Sequence, residues 1–152
     1  MTTLDASAPG GPYPVAITLD VHWGDMDAFG HVNNARYFTW FETCRSVYFG
    51  HIGLRVDKPS SPGPIIAHIA CDYLMPVVYP ATLAVGTRVD KIGNTSFTMT
   101  YGIFAKDAPP VLVARGTSVV VLFDYATGQK VAISDDLRTA IARVEGRSAT
   151  RP

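Results

Sequence analysis

Apolar and polar positions first fall into a regular pattern at Val15–His22, "VAITLDVH", where β-branched residues alternate roughly with polar ones and predict a strand. The pattern breaks at "WGDMDAFGHVNN" and resumes with a different period. Asn33 or Asn34 has the short side-chain oxygen that accepts a first-turn N–H, so a helix is predicted from there to about Gly50. Tyr37, Phe41, Cys44 and Tyr48 fall on one face of it, and Trp40 and Val47 widen that stripe, so the helix is deeply buried. At 1.5 Å per residue it spans about 25 Å, enough to cross a small domain. Gly50 supplies a stop.

After the proline-rich connection "GLRVDKPSSPGP" the period falls to two. Strands are predicted at 64–75, 82–92, 95–105 and 111–124, with Gly93-Asn94 turning the hairpin between the second and third of these. "DYATGQKV" reads as a turn into a short final strand. Ser134 caps a C-terminal helix that carries Asp135 and Asp136 in its first turn and Leu137, Ala140, Ile141 and Val144 on one stripe. The sum is an α+β chain: an antiparallel sheet of about five to six strands wrapped around one long helix, plus a short C-terminal helix. Residues 13–145 form this single domain. Residues 1–12 and 146–152 are expected to be flexible tails, since small polar residues bury too little to offset the entropy of ordering. Long strands leave an edge that favours a homo-oligomer.

Composition narrows the class. The 152 residues suit one domain, and 13 basic against 13 acidic residues give no net field to attract nucleic acid or an anionic membrane. Two cysteines are too few for a secreted disulfide scaffold, no signal peptide is visible, and no run reaches the roughly 18 apolar residues of a membrane span. A soluble cytoplasmic protein is expected.

The polar break then carries the chemistry. Asp25 and Asp27 are two apart, so on an extended segment both carboxylates face one side and crowding raises at least one pKa. The alternative is that both cap turns. Gly30 permits close backbone approach, and the helix that follows presents unpaired N–H groups at its positive end. A carboxylate facing such donors is a place to polarise a carbonyl and attack it, each donor being worth about 3 to 4 kcal/mol in acyl transfer. A thiolate, with a pKa of about 8.5, leaves without the proton that an amine or alkoxide needs. A thioester therefore requires only one carboxylate and an oxyanion hole. No G-x-S-x-G elbow or cysteine nucleophile motif is present. His31 either orients Asp27 or water, or bonds a backbone carbonyl at the turn. His22, His51 and His68 lack ligand spacing, so no metal is expected. Glu42 reads as structural, bonded to Arg45 or a loop. Arg88, Lys91 and Arg115 read by default as charges on solvated strand faces, with contact to phosphates as the alternative.

The stretch "WGDMDAFGHVNNARYFTWFE", with "GNTSFTMTYGIF" and "VARGTSVVVLFDYATGQKV", resembles the hotdog-fold acyl-CoA thioesterases of the 4-hydroxybenzoyl-CoA thioesterase type over roughly residues 14–142. It also resembles the plant acyl-carrier-protein thioesterases, which share an Asp, His-Val-Asn-Asn arrangement. The resemblance implies a hotdog fold with active sites at dimer interfaces, the protein being a homodimer or homotetramer. It implies hydrolysis of an acyl-CoA or acyl-carrier-protein thioester, with Asp27 as base or nucleophile, His31 beside it and the helix-start amide near Asn34 polarising the carbonyl. Ser96 resembles a hydroxyl position lining the family's pocket, though on composition it is a strand serine. Asn33 and Tyr37 are the other expected substrate contacts, Tyr37 from an aromatic stripe that is mostly core. No cofactor is implied, because coenzyme A enters as part of the substrate. The benzoyl branch has other residues where this chain reads His31-Val32-Asn33-Asn34, so its substrate does not transfer. A hotdog hydratase or a non-catalytic acyl-CoA-binding module are the alternatives.

Overall fold

The computed structural model of the chain describes residues 2–4, 13–57, 62–107 and 109–146. Its alternating segments pair as one antiparallel sheet of seven strands. These are β1 (Thr2–Leu4), β2 (Tyr13–Asp20), β3 (Gly63–Tyr73), β4 (Thr82–Ile92), β5 (Ser96–Ala105), β6 (Val111–Asp124) and the short β7 (Gln129–Lys130). The spatial order is β1-β2-β4-β5-β6-β3, with β7 beside β6. Among the described residues β3 therefore forms one outer edge, paired on a single side through Ile65 with Val121 and Tyr73 with Ala114. The predicted hairpin joins β4 to β5, where Gly93 N–H donates to Ser96 C=O at 2.7 Å.

The long helix α1 (Asn34–His51) lies against this sheet because its aromatic stripe has no other apolar surface to meet. Phe41, Cys44 and Tyr48 are wholly buried with Leu83, Val85, Met99, Ile103 and Val120 in one core. Phe41 stacks on Tyr101, ring centroids 4.6 Å apart, and lies over Gly116, where a Cβ would come within 2.5 Å of its ring. The second helix, α2 (Asp135–Val144), is capped by Ser134, whose hydroxyl accepts Leu137 N–H. Glu145 just beyond it accepts both Tyr48 O–H and Val89 N–H at 2.7 Å, tying the C-terminal helix to α1 and β4.

Three expectations change. Gly50, the expected stop, stays within α1, and the left-handed residue after the helix is Gly53, φ 77°, three residues further on. Val47, placed on the apolar stripe, lies at its solvent margin. Part of the expected N-terminal tail is strand: Thr2–Leu4 pairs with β2, opposite Ala16 and Tyr13, because backbone pairing at a sheet edge needs no apolar side chains. Residues 1, 5–12 and 147–152 of the two expected tails lie outside the described residues. Among the described residues no helix is long and apolar enough to cross a membrane.

Candidate active site

The polar stretch between β2 and α1 folds back on itself. Asp27 N–H donates to His31 C=O at 2.9 Å, Met26 and Val32 form a β-bridge, and Asn33 N–H donates to Asp25 C=O at 2.9 Å. The result is a small hairpin whose second arm runs straight into the helix. Its tip is closed by Gly30, which adopts φ 79° without the Cβ penalty of other residues, and whose N–H donates to Asp27 C=O. Asp27 Oδ1 accepts Phe29 N–H at 2.9 Å, which fixes the carboxylate while leaving Oδ2 without a hydrogen bond from the described residues.

Asp25 behaves differently, and the expected same-face pair does not form. Trp23–Asp25 is a 3-10 turn rather than extended chain, so Asp25 is carried inward and is 2% exposed. Its carboxylate accepts His22 N–H at 2.8 Å and Arg36 Nε–H at 2.6 Å, and forms an ion pair with the Arg36 guanidinium. Burial pushes its pKa upward, yet the His22 bond and the Arg36 charge outweigh it and hold the group below its ordinary 3.8. The crowding that would have raised a carboxylate pKa is absent, since Arg36, eleven residues on, neutralises Asp25.

At the start of α1, Asn33 is the cap: its Oδ1 accepts Ala35 N–H at 2.9 Å and its C=O accepts Arg36 N–H at 3.0 Å. Asn34 N–H donates to nothing among the described residues and stands at the positive end of the helix. The segment after β3 runs alongside, with Val32 N–H on Val77 C=O and Val21 N–H on Ala81 C=O, both 2.8 Å. Tyr73 O–H donates to Asn34 C=O at 3.1 Å, its ring edge-on to Tyr37 at 4.9 Å, and Tyr37 in turn packs against Trp40. Burial pushes the Tyr37 phenol up to about 12, the Cys71 thiol to about 11 and the Cys44 thiol to about 12, so all three stay protonated at neutral pH. Neither thiol is an activated nucleophile.

Asp27, His31, Asn33, Asn34 and Tyr37 thus come together on one hairpin and the helix it feeds. The His31 backbone holds Asp27, while its imidazole is exposed and bonds no described residue. Ser96 is not among them. It opens β5 at the end opposite the Asp20–Thr82 pair, about 30 Å along the strand from Ala105 at 3.4 Å per residue. Glu42 is exposed, and Arg45 donates to Tyr101 O–H rather than to it. Arg88 and Arg115 are paired with Asp90 and Asp72. Among the described residues no group of three or more His, Cys, Asp or Glu is placed to hold a metal ion. Two residues escaped the sequence reading. Arg36 gave no signal, because its partner is non-local; Tyr73 was visible only as an aromatic at the end of a predicted strand.

The family model of the thioesterase-like superfamily matches residues 21–141. Among solved structures, a thioesterase-superfamily protein of Jannaschia sp. CCS1 shares 25% identity and a TM-score of 0.82, the match covering 98% of this chain and 97% of that one. A thioesterase of Thermus thermophilus, solved in complex with coenzyme A and Zn, shares 29% identity and a TM-score of 0.78 over 90% of this chain and 97% of that one. A chloroplastic acyl-acyl carrier protein thioesterase of Arabidopsis thaliana is 29% identical over 106 residues, 68% of this chain and 56% of the relative. With these neighbours, the sheet around α1 is the hotdog fold.

Proposed function

The chain belongs to the thioesterase-like superfamily, and from that premise we propose that it hydrolyses acyl-CoA thioesters with Asp27 as general base or nucleophile and the Asn34 amide as the carbonyl-polarising donor. The observation that carries this reading is the pairing, on one hairpin and helix start, of a carboxylate with an uncommitted oxygen and a backbone N–H with no partner among the described residues. The thioester carbonyl oxygen accepts the Asn34 N–H, where the aligned peptides of α1 favour the negative charge that develops. Asp27 Oδ2 then attacks the carbonyl carbon to form a mixed anhydride, or takes a proton from the attacking water. In either route the C–S bond breaks and the electron pair leaves on sulfur, and a thiolate of pKa about 8.5 needs no acid to help it. In the anhydride route water then cleaves the anhydride C–O bond at either carbonyl carbon, which releases the acid and restores Asp27. Label in Asp27 after a single turnover in ¹⁸O-water would establish that route, since the general-base route places label only in the product.

Asn33 orients the Asn34 peptide through its cap, and His31, whose carbonyl accepts Asp27 N–H and whose imidazole is exposed, is the candidate to orient water. Tyr37 forms the apolar wall behind the helix start. Coenzyme A is the favoured donor, because the Thermus neighbour solved with it is matched over 97% of its length, whereas the carrier-protein relative is matched over 56%. The compound arrives and departs as part of the substrate, and no resident cofactor is needed. Ser96 joins the site from a second copy. Antiparallel pairing of two β3 edges lays the Ile65 end of one against the Tyr73 end of the other, and Ile65, Val121 and Ser96 share one row across the sheet.

Thiol release from short, long and aromatic acyl-CoA thioesters tests the proposal. The wild type is expected to release thiol and Asp27→Asn to be slower by at least about 10²-fold with its fold intact. Equal rates would make Asp27 structural. Saturable binding without thiol release by the wild type would leave a binding module instead.

A further inference from the structure

We propose that Tyr73 is a positioning residue that holds the first peptide of α1 in the orientation the Asn34 amide needs, an inference that rests on the thioesterase reading above. The argument begins with a constraint on the donor itself. An N–H that must receive a substrate oxygen has to stay unpaired until the substrate arrives, so no hydrogen bond of its own can fix its direction. At a helix start the usual i−4 bonds are missing as well. The direction of the amide is set by its own planar peptide, whose carbonyl, Asn33 C=O, accepts Arg36 N–H at 3.0 Å, and by the peptides on either side.

Both neighbours are held. On the N-terminal side, Asn33 N–H donates to Asp25 C=O at 2.9 Å. On the C-terminal side, Asn34 C=O accepts Tyr73 O–H at 3.1 Å. The segment 73–81 makes two further bonds to the hairpin, Val77 C=O to Val32 N–H and Ala81 C=O to Val21 N–H, but these are backbone to backbone and survive any change of side chain. The Tyr73 bond reaches α1 itself and depends on one hydroxyl.

Tyr73 is also rigid enough to transmit position. Leu74 and Met75 N–H both donate to Val113 C=O, at 2.9 and 3.1 Å, anchoring the chain directly behind it to β6. Its ring packs edge-on against the buried Tyr37, centroids 4.9 Å apart and planes at 86°. The edge strand is thereby coupled to the oxyanion donor through one phenol. Catalytic geometry is sensitive on this scale, a displacement of about 1 Å being enough to cost up to about 10²-fold.

The test compares wild type, Tyr73→Phe and Asp27→Asn by steady-state thiol release, thermal melting and amide hydrogen exchange over residues 34–38. Tyr73→Phe keeps the ring and removes the tether. It is expected to lower kcat about tenfold with KM within about twofold and the melting temperature little changed, and to speed exchange across the first turn of α1. A purely structural role would lower the melting temperature and leave kcat per folded molecule alone. If Asp27→Asn abolishes thiol release while Tyr73→Phe matches the wild type, the positioning role is overturned and the hydrolase reading stands. If the wild type releases no thiol, the hydrolase reading fails, and the exchange data still decide the tether: unchanged exchange in Tyr73→Phe overturns it, faster exchange supports it.

Discussion

Asp25 and Asp27 show how little two residues of the same type need share. One is buried on Arg36 and His22, while the other sits at a hairpin tip with one oxygen uncommitted. Because the folded-state pKa of Asp25 lies below its ordinary 3.8, its stabilising effect is fully present above that value and is lost as pH falls through the lower folded one. Asp25→Asn is therefore expected to cost about 1.5 to 3 kcal/mol at pH 7, the value of a hydrogen bond to a charged group. The gap from wild type should narrow as the pH falls below 3.8, measured by urea denaturation on both sides of that value. A variant as stable as wild type at pH 7 would sink this account. The sequence displayed the D-x-D pair but could not rank its members. Only the 3-10 turn and a guanidinium eleven residues away distinguish them.

Elements were legible where one face of the chain is uniformly apolar. β4 and β6 have the ends that alternation predicts, and α1 begins where the asparagines place it. Boundaries failed where tertiary bonds decide them. Val21 leaves the predicted first strand because its N–H goes to Ala81, and β2 starts earlier, at Tyr13, where β1 pairs with it. The depth at which α1 sits depends on Gly116. A Cβ there would lie 2.5 Å from the Phe41 ring and 2.8 Å from Ala70 C=O, one side soft and the other backbone. Gly116→Ala is expected to cost about 1 to 3 kcal/mol through overpacking. That corresponds to a fall of roughly 2 to 10 °C in calorimetric melting for a domain of this size. Unchanged melting would mean the helix has slack that the packing does not reveal.

At the scale of the whole molecule, β3 has one side without a strand partner among the described residues, and it continues into large apolar residues left in solvent. Ile65 lies on it, Tyr73 ends it, and Leu74 and Met75 follow, each 40% exposed or more. Such an edge invites pairing with a second copy. If two copies pair through this edge as proposed, Ile65→Lys is expected to convert the dimer to monomer in light scattering and to depress thiol release by separating the Ser96 row from the opposite site. A wild type already monomeric at micromolar concentration would refute the assembly. The sequence suggested Ser96 and Asp27 together, yet within one chain Ser96 opens β5 at the end of the sheet away from the Asp20–Thr82 pair that leads into the Asp27 hairpin, a separation that alternation along a strand does not reveal. The hairpin between β2 and α1 also bears on which substitutions the site tolerates. Among the described residues its hydrogen bonds close within residues 21–37 or onto 73–81, and none runs to β4, β5 or β6. The candidate machinery is thus held by two stretches, 21–37 and 73–81, and substitutions confined to β4, β5 or β6 break none of its hydrogen bonds.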